Sequence, residues 1–158
     1  MANDELIQTD HPLNEAQRNT LDCLLALIIP PSEDGKMPGA ADVGFLEYLL
    51  HSEAEFLSPL TQVLDAIIDT AKTEYGKPFI GINRQEQENL VHSLRRSQEE
   101  LFNQLTILVM TCYYQDDKVM TGIGLEARPP FPKGHQLETG DLSLLAPVKQ
   151  RGEFWRKV

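Results

Sequence analysis

Apolar side chains in the first four-fifths of the chain recur every three or four residues, which is the period of an α-helix. Asn14 is the predicted N-cap of the first helix, and Pro30-Pro31 ends it because a proline disfavours helical angles at the preceding residue. A second helix is predicted near residues 40–51, and a third is capped by Ser58 with proline at its first helical position. The apolar positions of these three segments are Leu21, Leu24, Leu25 and Ile28, then Val43, Phe45, Leu46, Leu49 and Leu50, then Leu60, Val63, Leu64, Ile67, Ile68 and Ala71.

Two further helices and a long arm complete the predicted architecture. Asn83 and Glu86 have the spacing of a capping box for a helix that ends near Leu94. A longer helix is expected from about Gln98 to Tyr114. Strand signals are weak, since only residues 118–123 and 142–145 have an extended pattern and neither has a convincing partner. We therefore predict an all-α fold, a bundle of four to five helices with a long irregular C-terminal arm packed across it.

Charge and glycine and proline content divide the chain into parts. Residues 1–127 hold 8 basic and 21 acidic side chains, whereas residues 128–158 hold 6 basic and 3 acidic ones. Five of the ten glycines and four of the ten prolines lie between residues 122 and 152. These shifts predict a flexible acidic tail over residues 1–13, a helical body over 14–127 and a Pro/Gly-rich arm over 128–158 that belongs to the same domain.

Composition excludes several classes of protein. The net charge of −10 argues against a nucleic-acid binder and against adhesion to an anionic membrane. The longest apolar run covers the seven residues 23–29, which is far short of the roughly 20 that a membrane span needs. The first residues carry no export signal, so we expect a cytoplasmic protein, with a periplasmic location only if a twin-arginine signal has been removed. Two cysteines do not make a disulfide framework.

No arrangement of residues predicts catalysis or a cofactor site in this chain. The sequence has no nucleophile elbow, no Cys-His pairing of known spacing and no glycine-rich phosphate loop. Cys23 and Cys112 lie on apolar helical stripes, which favours a core role, and whether they pair stays open. A less favoured alternative is a metal-binding helical protein that uses two Glu-His pairs spaced i, i+4, a spacing that differs from the i, i+3 of di-iron bundles. These pairs are Glu47 with His51 and Glu88 with His92.

Aromatic residues cluster at the end of the long helix and in the arm. Two interpretations stay open: these side chains anchor the arm on the bundle, or they contact a partner protein, since Trp, Tyr and Arg are enriched at interface hot spots. The candidate partner-binding residues are Tyr113, Tyr114, Phe131, Phe154, Trp155 and Arg156.

An ordered set of short motifs resembles the gluconate 2-dehydrogenase subunit 3 family. The first helix ends in Ile28-Ile29-Pro30-Pro31, an acidic glycine loop follows, and residues 39–44 read Gly-Ala-Ala-Asp-Val-Gly. Further matches follow at residues 75–79 before the helix with Gln85-Glu86-Gln87, at residues 113–116, and at residues 148–152 with Trp155-Arg156. The resemblance covers roughly residues 15–157.

This resemblance implies a small non-catalytic subunit. Such subunits accompany a large flavoprotein of the glucose–methanol–choline oxidoreductase class, often together with a cytochrome subunit. The large subunit holds FAD and oxidises a sugar or sugar acid, and the small one supports its folding and, in many members, its export through a twin-arginine signal. The alternative is a free-standing helical scaffold or regulatory domain without such a partner.

Overall fold

The computed structural model describes residues 11–128, 131, 134 and 138–151. These residues belong to two compact units, a body that ends at Ala127 and an arm that begins at Arg128. All regular secondary structure in the described ranges is helical, which confirms the all-α prediction. The helices are α1 (Glu15–Ile28), α2 (Phe45–Ser52), α3 (Leu57–Tyr75), α4 (Arg84–Ser97), α5 (Glu99–Tyr113), α6 (Asp117–Gly122) and α7 (Ala146–Lys149).

The two predicted asparagine caps are confirmed. The Asn14 side chain accepts from the Gln17 backbone N–H at 2.9 Å, and the Gln17 side chain accepts from the Asn14 N–H at 3.0 Å. Asn83 and Glu86 make the same reciprocal pair at the start of α4. Each cap satisfies backbone donors that have no partner inside the helix, so the sequence determines these two starts locally.

Two other helix starts differ from their predictions. α3 begins at Leu57 rather than after Ser58, because a 3₁₀ turn over Ala54–Phe56 leads directly into it. The segment near residues 40–51 is divided into a 3₁₀ turn, Ala40–Asp42, and the later helix α2. Gly44 separates the two with a φ of 66°, a left-handed conformation that glycine adopts without steric cost.

Neither of the two segments with an extended pattern forms a strand. Residues 118–123 lie in α6 and its C-cap, and Asp116 begins this helix by accepting from the backbone N–H groups of Lys118 and Val119. Residues 142–145 form a 3₁₀ turn that continues into α7. Both segments are therefore helical, in agreement with the all-α prediction.

The core of the body lies between α1, α3, α4 and α5, with α2 packed on α5. Its largest fully buried side chains come from several elements that are distant in sequence, so the core ties the helices together. A side-chain hydrogen bond also links α1 to α3. The amide of the buried Gln17 on α1 donates to the Asp65 carboxylate on α3 at 2.8 Å. The described core residues include Leu24, Phe45, Leu60, Leu64, Ile67, Phe79, Leu90, Leu105 and Val109.

The segment between α1 and α2, residues 29–44, is a tightly built loop. The Ala40 N–H donates to the Ile29 carbonyl at 2.9 Å and closes the loop. A Cβ at Gly39 would lie 2.9 Å from the Pro31 Cδ and 3.0 Å from its backbone nitrogen, so only glycine fits without a shift. The residues that carry the family resemblance therefore have a structural role here. No helix in the described ranges is long and apolar enough to cross a membrane.

The arm, taken by itself, contributes helical turns but no buried side chain among residues 138–151. Asp141 caps its 3₁₀ turn by accepting from the Ser143 N–H. Hydrogen bonds from the Ser143 side chain and then from its backbone lower the pKa of the Asp141 carboxyl. Five large apolar side chains are exposed among the described residues of the arm, namely Phe131, Leu142, Leu144, Leu145 and Val148. The expected packing of the arm across the bundle stays a prediction.

Candidate partner-binding surface

Helix α5 is apolar on more than one side. Its inner side carries Phe102, Leu105 and Val109, which are buried in the core. Its outer side carries Ile107, Met110 and, at the C-cap, Tyr114, which are spaced i, i+3 and i+7 and so share one face. Contiguous exposed apolar side chains on a small protein commonly mark an interaction site. The outer side therefore has the character of a surface that another protein covers.

This surface, called the α5 outer face below, is well exposed. Ile107 retains 64% of its accessible area and Tyr114 retains 52%. One turn before Ile107 the same face becomes polar, with Glu100 and Gln104. The apolar part therefore covers the C-terminal half of α5 and has a polar edge, as protein interfaces commonly do.

The two adjacent tyrosines at the end of α5 have different positions. Tyr113 is buried, and its hydroxyl donates to the Pro38 carbonyl at 2.9 Å. Desolvation, with the neighbouring Tyr114 and Asp116, raises the pKa of Tyr113. Tyr114 is exposed, and its ring meets the Tyr113 ring edge-on at 5.3 Å. Tyr114 can therefore reach a partner, whereas Tyr113 fixes the end of α5 from inside.

The loop after α1 also holds the end of α5 in place. The buried Cys112 thiol donates to the Val43 carbonyl at 3.6 Å. The neighbouring hydrogen bond runs from the Tyr113 hydroxyl to the Pro38 carbonyl. Burial, and to a lesser extent Asp116, raises the pKa of the Cys112 thiol. These contacts make the α5 outer face a preorganised surface, which lowers the entropic cost of binding.

The two cysteines are free thiols. Cys23 is half-buried on α1, and desolvation together with the charge of Asp22 raises its pKa. A raised pKa keeps a thiol protonated and unreactive near neutral pH. The core interpretation is confirmed for Cys112, whereas Cys23 packs against the core and is only partly buried.

The other predicted contact residues lie in the arm. Phe131 is 84% exposed, which is consistent with either a free or a partner-bound role. Phe154, Trp155 and Arg156 lie outside the described residues, so their contact role stays a prediction.

The residues of the metal alternative are divided between two helices. Glu47 and His51 lie on α2, while Glu88 and His92 lie on α4. The Glu88 carboxylate accepts from the Arg84 guanidinium at 3.0 Å. Within the described ranges, no three His, Cys, Asp or Glu side chains come together as a metal-binding group. The structure thus gives the metal alternative no support.

Ile107 and Met110 were not among the predicted contact residues. The prediction for α5 placed one apolar set on a single face and assigned no role to the remaining apolar positions; that set is Leu101, Leu105, Leu108, Val109 and Cys112. The available signal was a second apolar set at i, i+3 and i+7 on the opposite side.

The fold and this surface together define a small all-α protein with an exposed apolar helix face. The family model of gluconate 2-dehydrogenase subunit 3 matches residues 15–128, and the chain belongs to this family. The resemblance inferred from the motifs is thus confirmed over the body and the first residue of the arm. No curated protein and no solved structure matches the chain.

Proposed function

We propose that the chain is a non-catalytic small subunit that binds and stabilises a large FAD-dependent dehydrogenase of sugars or sugar acids. The observation that carries the proposal is the α5 outer face on a member of a dehydrogenase subunit family. Contiguous apolar side chains on the surface of a small protein commonly mark an interaction site. The large subunit is the occupant that family membership favours.

The proposed mechanism is binding alone. Covering Ile107, Met110 and Tyr114 removes apolar area from water and favours the complex. A subunit that binds only the folded large subunit stabilises it by mass action, and the same linkage favours its maturation. In this proposal FAD is held by the large subunit, and this chain contributes no cofactor ligand.

The arm offers a second set of contacts in the same proposal. Phe131 and the exposed leucines of residues 142–145 are available to a partner, as Phe154, Trp155 and Arg156 are by prediction. The arm is basic and the body acidic, so the two units would meet differently charged parts of a large subunit.

The test is reconstitution from purified components. The tagged full-length chain is first purified from its native host, and a co-purifying flavoprotein is identified by mass spectrometry and flavin absorbance. The two proteins are then produced separately and their Kd is measured by isothermal titration calorimetry. Haem absorbance of the native eluate reports whether a cytochrome subunit is also present.

The double variant I107S/M110S tests the α5 outer face. Both side chains are exposed, so the fold should be retained, and we expect the Kd to rise at least about tenfold, or about 1.4 kcal/mol. The matched control is Ile80→Ser, because Ile80 is similarly exposed, at 56%, but lies in the turn before α4. A wild-type chain without affinity for any flavoprotein would contradict the proposal. If Ile80→Ser weakened binding as much as I107S/M110S does, the α5 outer face would no longer be part of the proposed interface.

A further inference from the structure

A groove between α1, α4 and α5 is the second apolar feature on the surface of the body. Its volume is about 330 Å³, at the lower end of the range for ligand pockets. The buried Leu24 and Phe102 form its floor, and half-buried aliphatic side chains form its walls. Those wall residues are Leu27, Ile28 and Val91.

One edge of this groove is basic, although the body is acidic. His92 and Arg95 line this edge of the groove, and Arg96 lies beside them in an adjoining depression that also contains Glu99. Glu88 lines the groove as well, but its carboxylate is paired with the Arg84 guanidinium at 3.0 Å. Two of the eight basic side chains of the body, Arg95 and Arg96, lie in the last turn of α4. In the described part of the chain, neither Arg95 nor Arg96 lies within 4.0 Å of a carboxylate.

Arg95 has a neutral partner instead. Its guanidinium donates to the Asn103 side chain on α5 at 3.2 Å, so the charge is held over the groove without being neutralised. A cation near the C-terminus of α4 also interacts favourably with the helix dipole. The dipole explains a positive charge at this position, but it does not explain the open apolar floor beside that charge.

We infer that this groove receives an apolar side chain next to a carboxylate from the large dehydrogenase subunit. The apolar side chain would lie on Leu24 and Phe102, and the carboxylate would face Arg95. This inference rests on the proposed function, because it assigns one anchor point of the same partner. An apolar anchor beside a guanidinium–carboxylate pair is a combination found at interface hot spots.

The groove adjoins the α5 outer face. Asn103, the partner of Arg95, lies one turn before Ile107 on α5 and is half-buried between the two features. A single large subunit can therefore cover both surfaces. The pairing of the partner's carboxylate with Arg95 would fix the relative position of the two proteins, which apolar packing alone specifies only loosely.

The experiment uses the reconstituted complex of the full chain and the flavoprotein identified above. Arg95→Glu should raise the Kd about tenfold or more and reduce the dependence of binding on salt. Arg95→Gln keeps a donor for Asn103 and should have a smaller effect. Val91→Phe fills the groove without changing charge and should raise the Kd about fivefold or more. The matched control is Lys72→Glu, which reverses an exposed charge in the last turn of α3, away from the groove.

The outcomes separate the inference from the proposed function. Weakened binding by Arg95→Glu and Val91→Phe, with an unchanged Kd for Lys72→Glu, supports the groove as an anchor site. Binding within twofold of wild type for both groove variants overturns the inference and leaves the proposed function intact. Equal weakening by Lys72→Glu also overturns it, since general charge would then explain the effect. A wild-type chain that binds no flavoprotein overturns both.

Discussion

Gln17 connects the start of α1 to α3 through two hydrogen bonds of its side chain. Its carbonyl oxygen accepts from the Asn14 N–H, and its amide donates to the Asp65 carboxylate at 2.8 Å. Removing it leaves a helix-start donor and a carboxylate without these partners. We expect Gln17→Ala to lower the free energy of unfolding by about 1–3 kcal/mol, measured by urea denaturation. Gln62→Ala, an exposed site on α3, is the control. A loss no larger than that of the control would contradict this role.

The two thiols predict a loss of stability at alkaline pH. Burial raises the pKa of both Cys23 and Cys112 above their ordinary value of 9.0, so the native chain keeps protons that the unfolded chain releases. The stability that the two protonated thiols contribute is therefore fully present below pH 9. It is lost as the pH rises through the higher pKa values that the thiols have in the folded state. We expect the urea midpoint to fall as the pH rises above 9.0, the ordinary value of the thiol pKa. The double variant C23A/C112A should show a shallower fall, and an equal slope would exclude the thiols as the cause.

At the scale of whole elements, the sequence predicts best what is determined within a few residues. Asn14 and Asn83 set the starts of α1 and α4 because each cap acts on the next three residues. The start of α3 depends instead on the turn over Ala54–Phe56, which no local pattern at Ser58 reveals. α6 was not predicted as a helix, since residues 118–123 showed only a weak extended pattern. Its actual signal was the cap at Asp116.

Asp116 is expected to be the main local determinant of α6. Its carboxylate accepts from the N–H groups of Lys118 and Val119, and α6 is too short to be stable by propagation alone. We expect Asp116→Ala to cost about 1 kcal/mol and to speed hydrogen exchange at the Met120 and Ile123 amides. Asp117→Ala is the control, since it alters the first turn of the same helix without removing the cap. Unchanged exchange in Asp116→Ala would show that packing of Val119 determines α6.

At the scale of the whole molecule, the candidate surface was only partly predictable. Tyr114 was identified from the aromatic pair at the end of α5, but its neighbour Tyr113 proved to be buried. Ile107 and Met110 could not be assigned to the surface because the sequence of α5 suits core packing on both sides. Which side is buried depends on where α2, α3 and α4 pack against α5, and the contacts with α2 and α3 join residues that are far apart in sequence.

The division of the chain at Ala127 leads to a prediction for the body without the arm. Every buried apolar residue in the described ranges lies at or before Val119, within the body. A chain that ends at Ala127 should therefore keep its helical circular-dichroism spectrum and unfold cooperatively, with a midpoint within about 4 °C of the full chain. It should nevertheless bind the flavoprotein more weakly, because Phe131 and the predicted contacts at Trp155 and Arg156 are removed. Loss of cooperative unfolding would instead show that the arm stabilises the body, which is what packing across the bundle predicts. Retained folding with an unchanged Kd would confine the interface to the body, leaving the α5 outer face and the groove beside it as its parts.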